Sequence, residues 1–220
     1  MTMDTNIGAK ERVTQNRLIG LFKNVLKYTC LGNWETREGN ANIEETLLTA
    51  YLSRRGYTDK EIRSAIAKFK QAANSLGGGL YNANKEVYTL LRYGVNVQAE
   101  VTEKKKMVHL IDWANPMEND LQIAEEVTIQ GESDRRPDLV VYVNGIALAV
   151  IELKRSTVSA HEGIRQNIRN QQDGYIPRFF TTIQLLFAGN DTEGLHYGVI
   201  KTPEKFWLRW KEPCGEPCQP

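Results

Sequence analysis

The chain has 220 residues, 41% hydrophobic and 25% charged, with 28 basic residues against 27 acidic ones. That length can bury roughly 70% of the unfolded surface in one core, and the near-zero net charge makes no whole-molecule case for tight nucleic-acid binding. No apolar run approaches the roughly 18 residues of a membrane span, the start carries no signal-peptide apolar stretch, and three cysteines make no disulfide framework; a cytoplasmic protein without a membrane partner is expected.

In chain order, the first sixteen residues are polar. Leu18, Phe22, Val25 and Leu26 follow helical spacing, with Gly32 as the stop. A second helix carries Ile43, Leu47, Leu48, Tyr51 and Leu52, with Asn42 and Glu45 at capping-box spacing. Thr58 and Glu61 repeat that spacing and open a third helix with Ile62, Ile66, Phe69 and Ala73, which Gly77-Gly78-Gly79 closes. Residues 1–80 are thus expected to form a helical region packed on a core of residues 81–211. In that core Val95, Val97, Ala99 and Val101 alternate with polar residues, Lys104-Lys105-Lys106 reads as a turn, and 107–113 as the partner strand. Residues 121–129 read as a third strand and 162–175 as a helix. Residues 184–188 and 195–200 read as strands joined at Gly189-Asn190-Asp191. A tail, 212–220, contains Cys214 and Cys218, which lack a second ligand pair for zinc. The class expected is α/β (α+β): a central mixed sheet flanked by helices, with a helical N-terminal region.

The most informative stretch is 135–155, RRPDLVVYVNGIALAVIELKR. Two apolar runs flank Asn144-Gly145, the strongest short-range hairpin signal. Neither run alternates with polar residues, so both strands should be covered on both faces. Asp138, Glu152 and Lys154 enter this apolar hairpin, and charges there cost several kcal/mol unless compensated. For two carboxylates the usual compensation is a metal ion. Glu152 and Lys154 are two residues apart and share a face. The plainer alternative, an ion pair at the end of a strand, fits a run without solvent-facing alternation less well.

Pro137-Asp138 followed by Glu152-x-Lys154 resembles the PD…ExK nuclease superfamily. The wording RPDLVVYVNGIALAVIELK is closer still to the N-terminal nuclease domain of the motor (restriction) subunit of type I restriction-modification enzymes. The resemblance runs from about Asn119 to the strand near 183–188. It implies a PD-(D/E)xK-like fold and a Mg²⁺ ion on Asp138 and Glu152. It further implies Lys154 beside the attacking water, and Gln171 and Tyr175 as supporting residues of a Gln-x-x-x-Tyr pattern. It also implies double-stranded DNA as substrate, and methylase and specificity subunits as partners. ATP-driven translocation would fall to motor domains outside this chain, which has no G-x-x-x-x-G-K-[ST] loop of its own. A repair or junction-cutting nuclease of the same superfamily and a non-catalytic docking module stay open as alternatives. Arg135, Arg136, Arg155, Arg165, Arg169 and Arg178 flank the stretch as candidates for a phosphate-holding rim. Glu45 is explained as the capping-box partner of Asn42, and Glu44 and His161 fall outside the expected site.

Counting along the hairpin sets a geometric demand. A two-residue turn pairing Val143 with Ile146 puts Asp138 opposite Ile151, and Glu152 then points to the other side of the sheet. A shared carboxylate site therefore predicts a longer turn or a bulge. The form favoured is a three-residue loop with Tyr142 opposite Ile146, or a bend near Pro137.

Overall fold

In a computed structural model, which describes residues 7–98 and 104–211, the central hairpin is β5 (Leu139–Val143) and β6 (Ile146–Leu153). Asn144 and Gly145 both take positive φ, 54° and 79°, as a tight hairpin turn requires. Asn144 is fully buried, accepting from the Asp120 N–H at 2.7 Å and donating to Leu110 O and Asn119 Oδ1. Gly145 lies under the second helix: a Cβ there would come within 2.6 Å of Leu47 Cβ and 2.8 Å of Glu44 O.

The hairpin is the middle of a seven-stranded mixed sheet. Around it are β1 (Thr29–Asn33), β4 (Leu121–Glu125), β7 (Leu185–Asn190), β8 (Gly194–Gly198) and β9 (Leu208–Arg209), in the order β1-β4-β5-β6-β7-β8-β9. β1–β4 and β6–β7 are parallel, and the other neighbours antiparallel. A parallel pair needs a crossover, and here it contains helix α5 (Ala160–Asn170). Ile164 of α5 packs with Val140, Tyr142, Ala147, Val150, Leu186 and Ala188 on one face. The other face has two covers. Helix α1 (Ile7–Gly20) contributes Leu18 and Ile19 against Leu139, Val141, Ala149, Ile151 and Leu153. Near the turn, Ile146, Val143 and Leu148 join a helical layer of α2 (Glu45–Arg54), α3 (Asp59–Asn74) and α4 (Leu80–Tyr93). Leu48, Leu52 and Phe69 are fully buried there, each contributing about 1.5–3 kcal/mol of hydrophobic stabilisation.

The class expected from the sequence is the one found, and α3 begins with the expected capping box. The Thr58 N–H donates to Glu61 Oε2 at 2.8 Å and the Glu61 N–H to Thr58 Oγ1 at 3.4 Å. Several local expectations differ. Helix α1 starts at Ile7, well before Leu18, and passes through a π-helical turn, Leu21–Val25, into the edge strand β1. Asn42 does not cap α2: its amide donates to Arg178 O and Thr181 Oγ1, while Glu45 pairs with Lys70. Gly77–Gly79 does not end the helical region, because Gly79, at φ 82°, opens α4. β2 (Val95–Val97) and β3 (Lys106–Val108) pair, but β3 takes Lys106 from the expected turn and stops at Val108 instead of 113, and the two form a separate two-stranded sheet. Ala99, Val101 and the tail 212–220 lie outside the described residues. Helix α5 stops at Asn170 instead of Tyr175, where the Ile176 N–H returns to Asn170 O and Gly174 turns the chain at φ 87°.

Candidate active site

The turn is the tight two-residue form, Val143 opposite Ile146, and the predicted irregularity lies three residues further on. Tyr142 pairs with Ala147 but Val141 pairs with Ala149, so Leu148 is an extra residue, a β-bulge. Leu148 and Ala149 both fall on the face turned away from α5, while Val150 returns to the α5 face. Continuing from Leu139 opposite Ile151, Asp138 falls opposite Glu152 on the α5 face. Without the bulge the two would lie on opposite faces.

The end of the ladder fixes both carboxylates. Where β5 gives way to Pro137, Asp138 Oδ2 takes the backbone N–H of Leu153 at 2.6 Å. The Asp138 carbonyl receives the N–H of Glu126, which stands at φ 49°. Glu152 is fully buried and pairs with Ala188 of β7. Helix α5 crosses it closely at Gly163, where a Cβ would lie 3.5 Å from Glu152 Cβ and 3.1 Å from Ala188 Cβ. One turn on, Gln166 Nε2 donates to Glu152 Oε2 at 2.7 Å. Lys154 follows the last strand residue, half-buried, with its Nζ 2.9 Å from Leu153 O. Asp138 is half-buried too, so the group is reached from the side of Asp138 and Lys154, with Glu152 beneath.

The structure brings Asp138, Glu152 and Lys154 to one strand end. It uses Gln171 and Tyr175 elsewhere. Gln171 is buried, its Nε2 donating to Asn167 O at 3.0 Å and its Oε1 accepting the Lys201 N–H at 2.8 Å. Tyr175 lies beyond the helix with the Arg135 guanidinium 4.3 Å over its ring. The glutamine on the site is Gln166, which sequence reasoning missed. Gly163 was the available signal: a glycine costs an exposed helix interior about 1 kcal/mol, and here it admits a strand, with Gln166 one turn along the same face.

Two of the flanking arginines are held by carboxylates of the fold. Arg136 pairs with Glu126 and Glu35, and Arg165 with Glu162 and Glu204, so these do not form one open rim with Arg135. His161 Nδ1 lies 3.0 Å from Glu204 Oε1, and Arg165 and His161 hold the Glu204 carboxyl below its ordinary range. Glu44 belongs to the turn end of the hairpin. Its N–H bonds Gly145 O, and its carboxylate takes both Arg37 nitrogens at 3.0 and 2.6 Å. Six strand residues, 146–151, at about 3.3 Å each separate Gly145 at that end from Glu152.

The sequence profile described as "Type I restriction enzyme R protein N terminus" matches residues 9–205. The chain belongs to this family. A putative type I restriction enzyme MjaIXP endonuclease subunit of Methanocaldococcus jannaschii is 28% identical over 154 residues, 66% of this chain and 14% of that protein. The type I restriction enzyme EcoprrI endonuclease subunit of Escherichia coli is 26% identical over 109 residues, 47% of this chain and 35% of that protein. The chain therefore spans a minor part of the length of these relatives. As an R-protein N-terminal domain it contains, among the described residues, no helix long and apolar enough to cross a membrane.

Proposed function

We propose that this R-protein N-terminal domain is the DNA-cutting centre of a type I restriction enzyme. Asp138 and Glu152 would hold Mg²⁺, and double-stranded DNA would be cut without base reading by the domain itself. The observation that carries this reading is the bulge at Leu148, which brings two carboxylates from adjacent strands onto one face. Relatives named as endonuclease subunits agree with it. The donor set fits the ion: Mg²⁺ takes one or two carboxylates and completes its shell with water and phosphate. Among the described residues no group of three His, Cys, Asp or Glu side chains converges.

When bound, such an ion makes its water more acidic and offsets charge on the scissile phosphate. The chain's own residues do the rest. Gln166 holds one Glu152 oxygen and fixes that side chain's orientation, and the Leu153 N–H does the same for Asp138. Lys154, at the open side, orients or deprotonates the attacking water and adds positive charge. Helix α5, seated on Gly163, keeps solvent from the far side of Glu152. Site choice and ATP-driven translocation belong, in this reading, to the remainder of a longer subunit and to methylase and specificity partners.

The test is Mg²⁺-dependent cleavage of plasmid DNA by the full-length subunit assembled with its partners, carrying Asp138→Asn, Glu152→Gln or Lys154→Ala. Each should lose cleavage by roughly a hundredfold or more, while ATP hydrolysis and the circular dichroism of the domain persist. Wild-type cleavage by any one variant removes that residue from the mechanism. Wild-type cleavage by all three leaves the domain as a docking module.

A further inference from the structure

At the turn end of the hairpin, beside Leu110 and the buried Asn144, lies a cleft of about 330 Å³ lined by Tyr51, Arg55, Tyr57, Arg92, His109 and Trp113. That volume is at the lower end of the roughly 300–1,000 Å³ of small-ligand sites. Its aromatic surfaces are held in place. Trp113 Nε1 donates to Leu91 O at 2.8 Å although the residue is 47% exposed, and the Tyr57 hydroxyl accepts the His109 N–H at 3.1 Å.

The charge in the cleft is cationic. Two guanidiniums, Arg55 and Arg92, meet one carboxylate, Asp112, whose Oδ2 pairs with Arg55 at 2.8 Å. The Asn115 N–H on Oδ1 holds the Asp112 carboxyl below the usual range, so it stays ionised. Arg92 lies 5.4 Å over the Trp113 ring. An exposed indole with a guanidinium over it, tyrosines alongside and one net positive charge is the chemistry that takes a planar base and its phosphate together.

We propose that this cleft binds one unpaired nucleotide, the base against Trp113 and Tyr57 and the phosphate on Arg92 and Arg55. The site stands apart from the carboxylate pair and needs no metal. Free nucleotides and unpaired bases within single-stranded DNA share this chemistry.

The test is calorimetric titration of the 220-residue chain, without divalent metal and at low salt, with dAMP, adenosine and a short oligodeoxyadenylate. Saturable binding of dAMP or of the oligonucleotide is expected, with adenosine weaker than dAMP for want of the phosphate. Trp113→Leu and Arg92→Gln should each weaken it by roughly tenfold or more. Position 92 is exposed, so the second variant does not threaten the fold. An oligonucleotide that binds more tightly than dAMP identifies single-stranded DNA as the source, and the reverse identifies the free nucleotide. No saturable binding of either at millimolar concentration, or binding unchanged in both variants, overturns the proposal.

Discussion

Gln166 and Glu152 are joined by a 2.7 Å hydrogen bond between helix α5 and strand β6, and Glu152 is fully buried beneath that helix. A hydrogen bond to a charged group is worth about 1.5–3 kcal/mol, so Gln166→Ala should slow DNA cleavage by roughly ten- to a hundredfold. Gln171→Ala has a different outcome. It strips the buried Asn167 carbonyl and the partly buried Lys201 N–H of this partner, lowering stability by about 1–3 kcal/mol. Single-turnover cleavage and urea unfolding, measured on both variants, separate the two. Equal loss of cleavage in both, with equal stability, would put Gln171 back at the site.

Two glycines with similar backbones should respond differently to alanine. Gly39 and Gly145 both have positive φ, 73° and 79°, but a Cβ at Gly39 meets nothing within 4 Å, whereas at Gly145 it runs into Leu47, Glu44 and Leu48. Gly39→Ala should therefore cost only the left-handed backbone penalty, about 1–2 kcal/mol. Gly145→Ala adds displacement of α2 and should exceed it by at least about 1 kcal/mol. Urea midpoints of the two variants check this, and matching values would mean that α2 yields without cost.

Glu204 gives a pH dependence with a defined sign. Its carboxyl is held below the ordinary glutamate value, first by Arg165 and then by His161. A depressed folded-state value stabilises above the unfolded pKa, about 4.3, and that contribution disappears as pH falls through the folded value. Wild type should thus be more stable than Glu204→Gln at neutral pH, and the gap should close on acidification. A gap unchanged down to the acid limit of the folded state would show that charge is not its origin.

The parts of the fold legible in the sequence are those whose signals are local. Asn144-Gly145 between apolar runs marks the hairpin, Thr58 with Glu61 marks the start of α3, and counting residues from the turn required an irregularity before Glu152. What escaped depends on contacts distant in the chain. β1 is five residues long, contains Gly32, and exists because β4, some ninety residues later, offers an edge. Asn42 stands two residues ahead of Glu44, the residue that precedes α2, and its amide donates across the fold to Thr181. Helix α4 buries Leu80, Ala83, Val87 and Leu91 at helical spacing, but the three preceding glycines read as a boundary. Gln171 sits on the same helical stripe as Ile164 and Ile168. Only the placement of α5 on β6 shows that Gln166, five residues earlier, meets the carboxylate.

Leu148 gives the hairpin two independent halves. The turn half keeps the tight Asn-Gly geometry and locks to α2, while the far half runs one residue out of phase with it. A single residue thereby acts as a phase shifter between a folding signal and a chemical one. Deleting Leu148 would leave Tyr142 opposite Ala147 and Val141 opposite Ala149, a regular ladder with Asp138 still opposite Glu152. Inserting one more residue into β6 between the bulge and Glu152 would instead turn Glu152 to the face opposite Asp138. For anyone grafting this strand pair onto another scaffold, the length between turn and carboxylates can change only in compensated steps, whichever side chains line it.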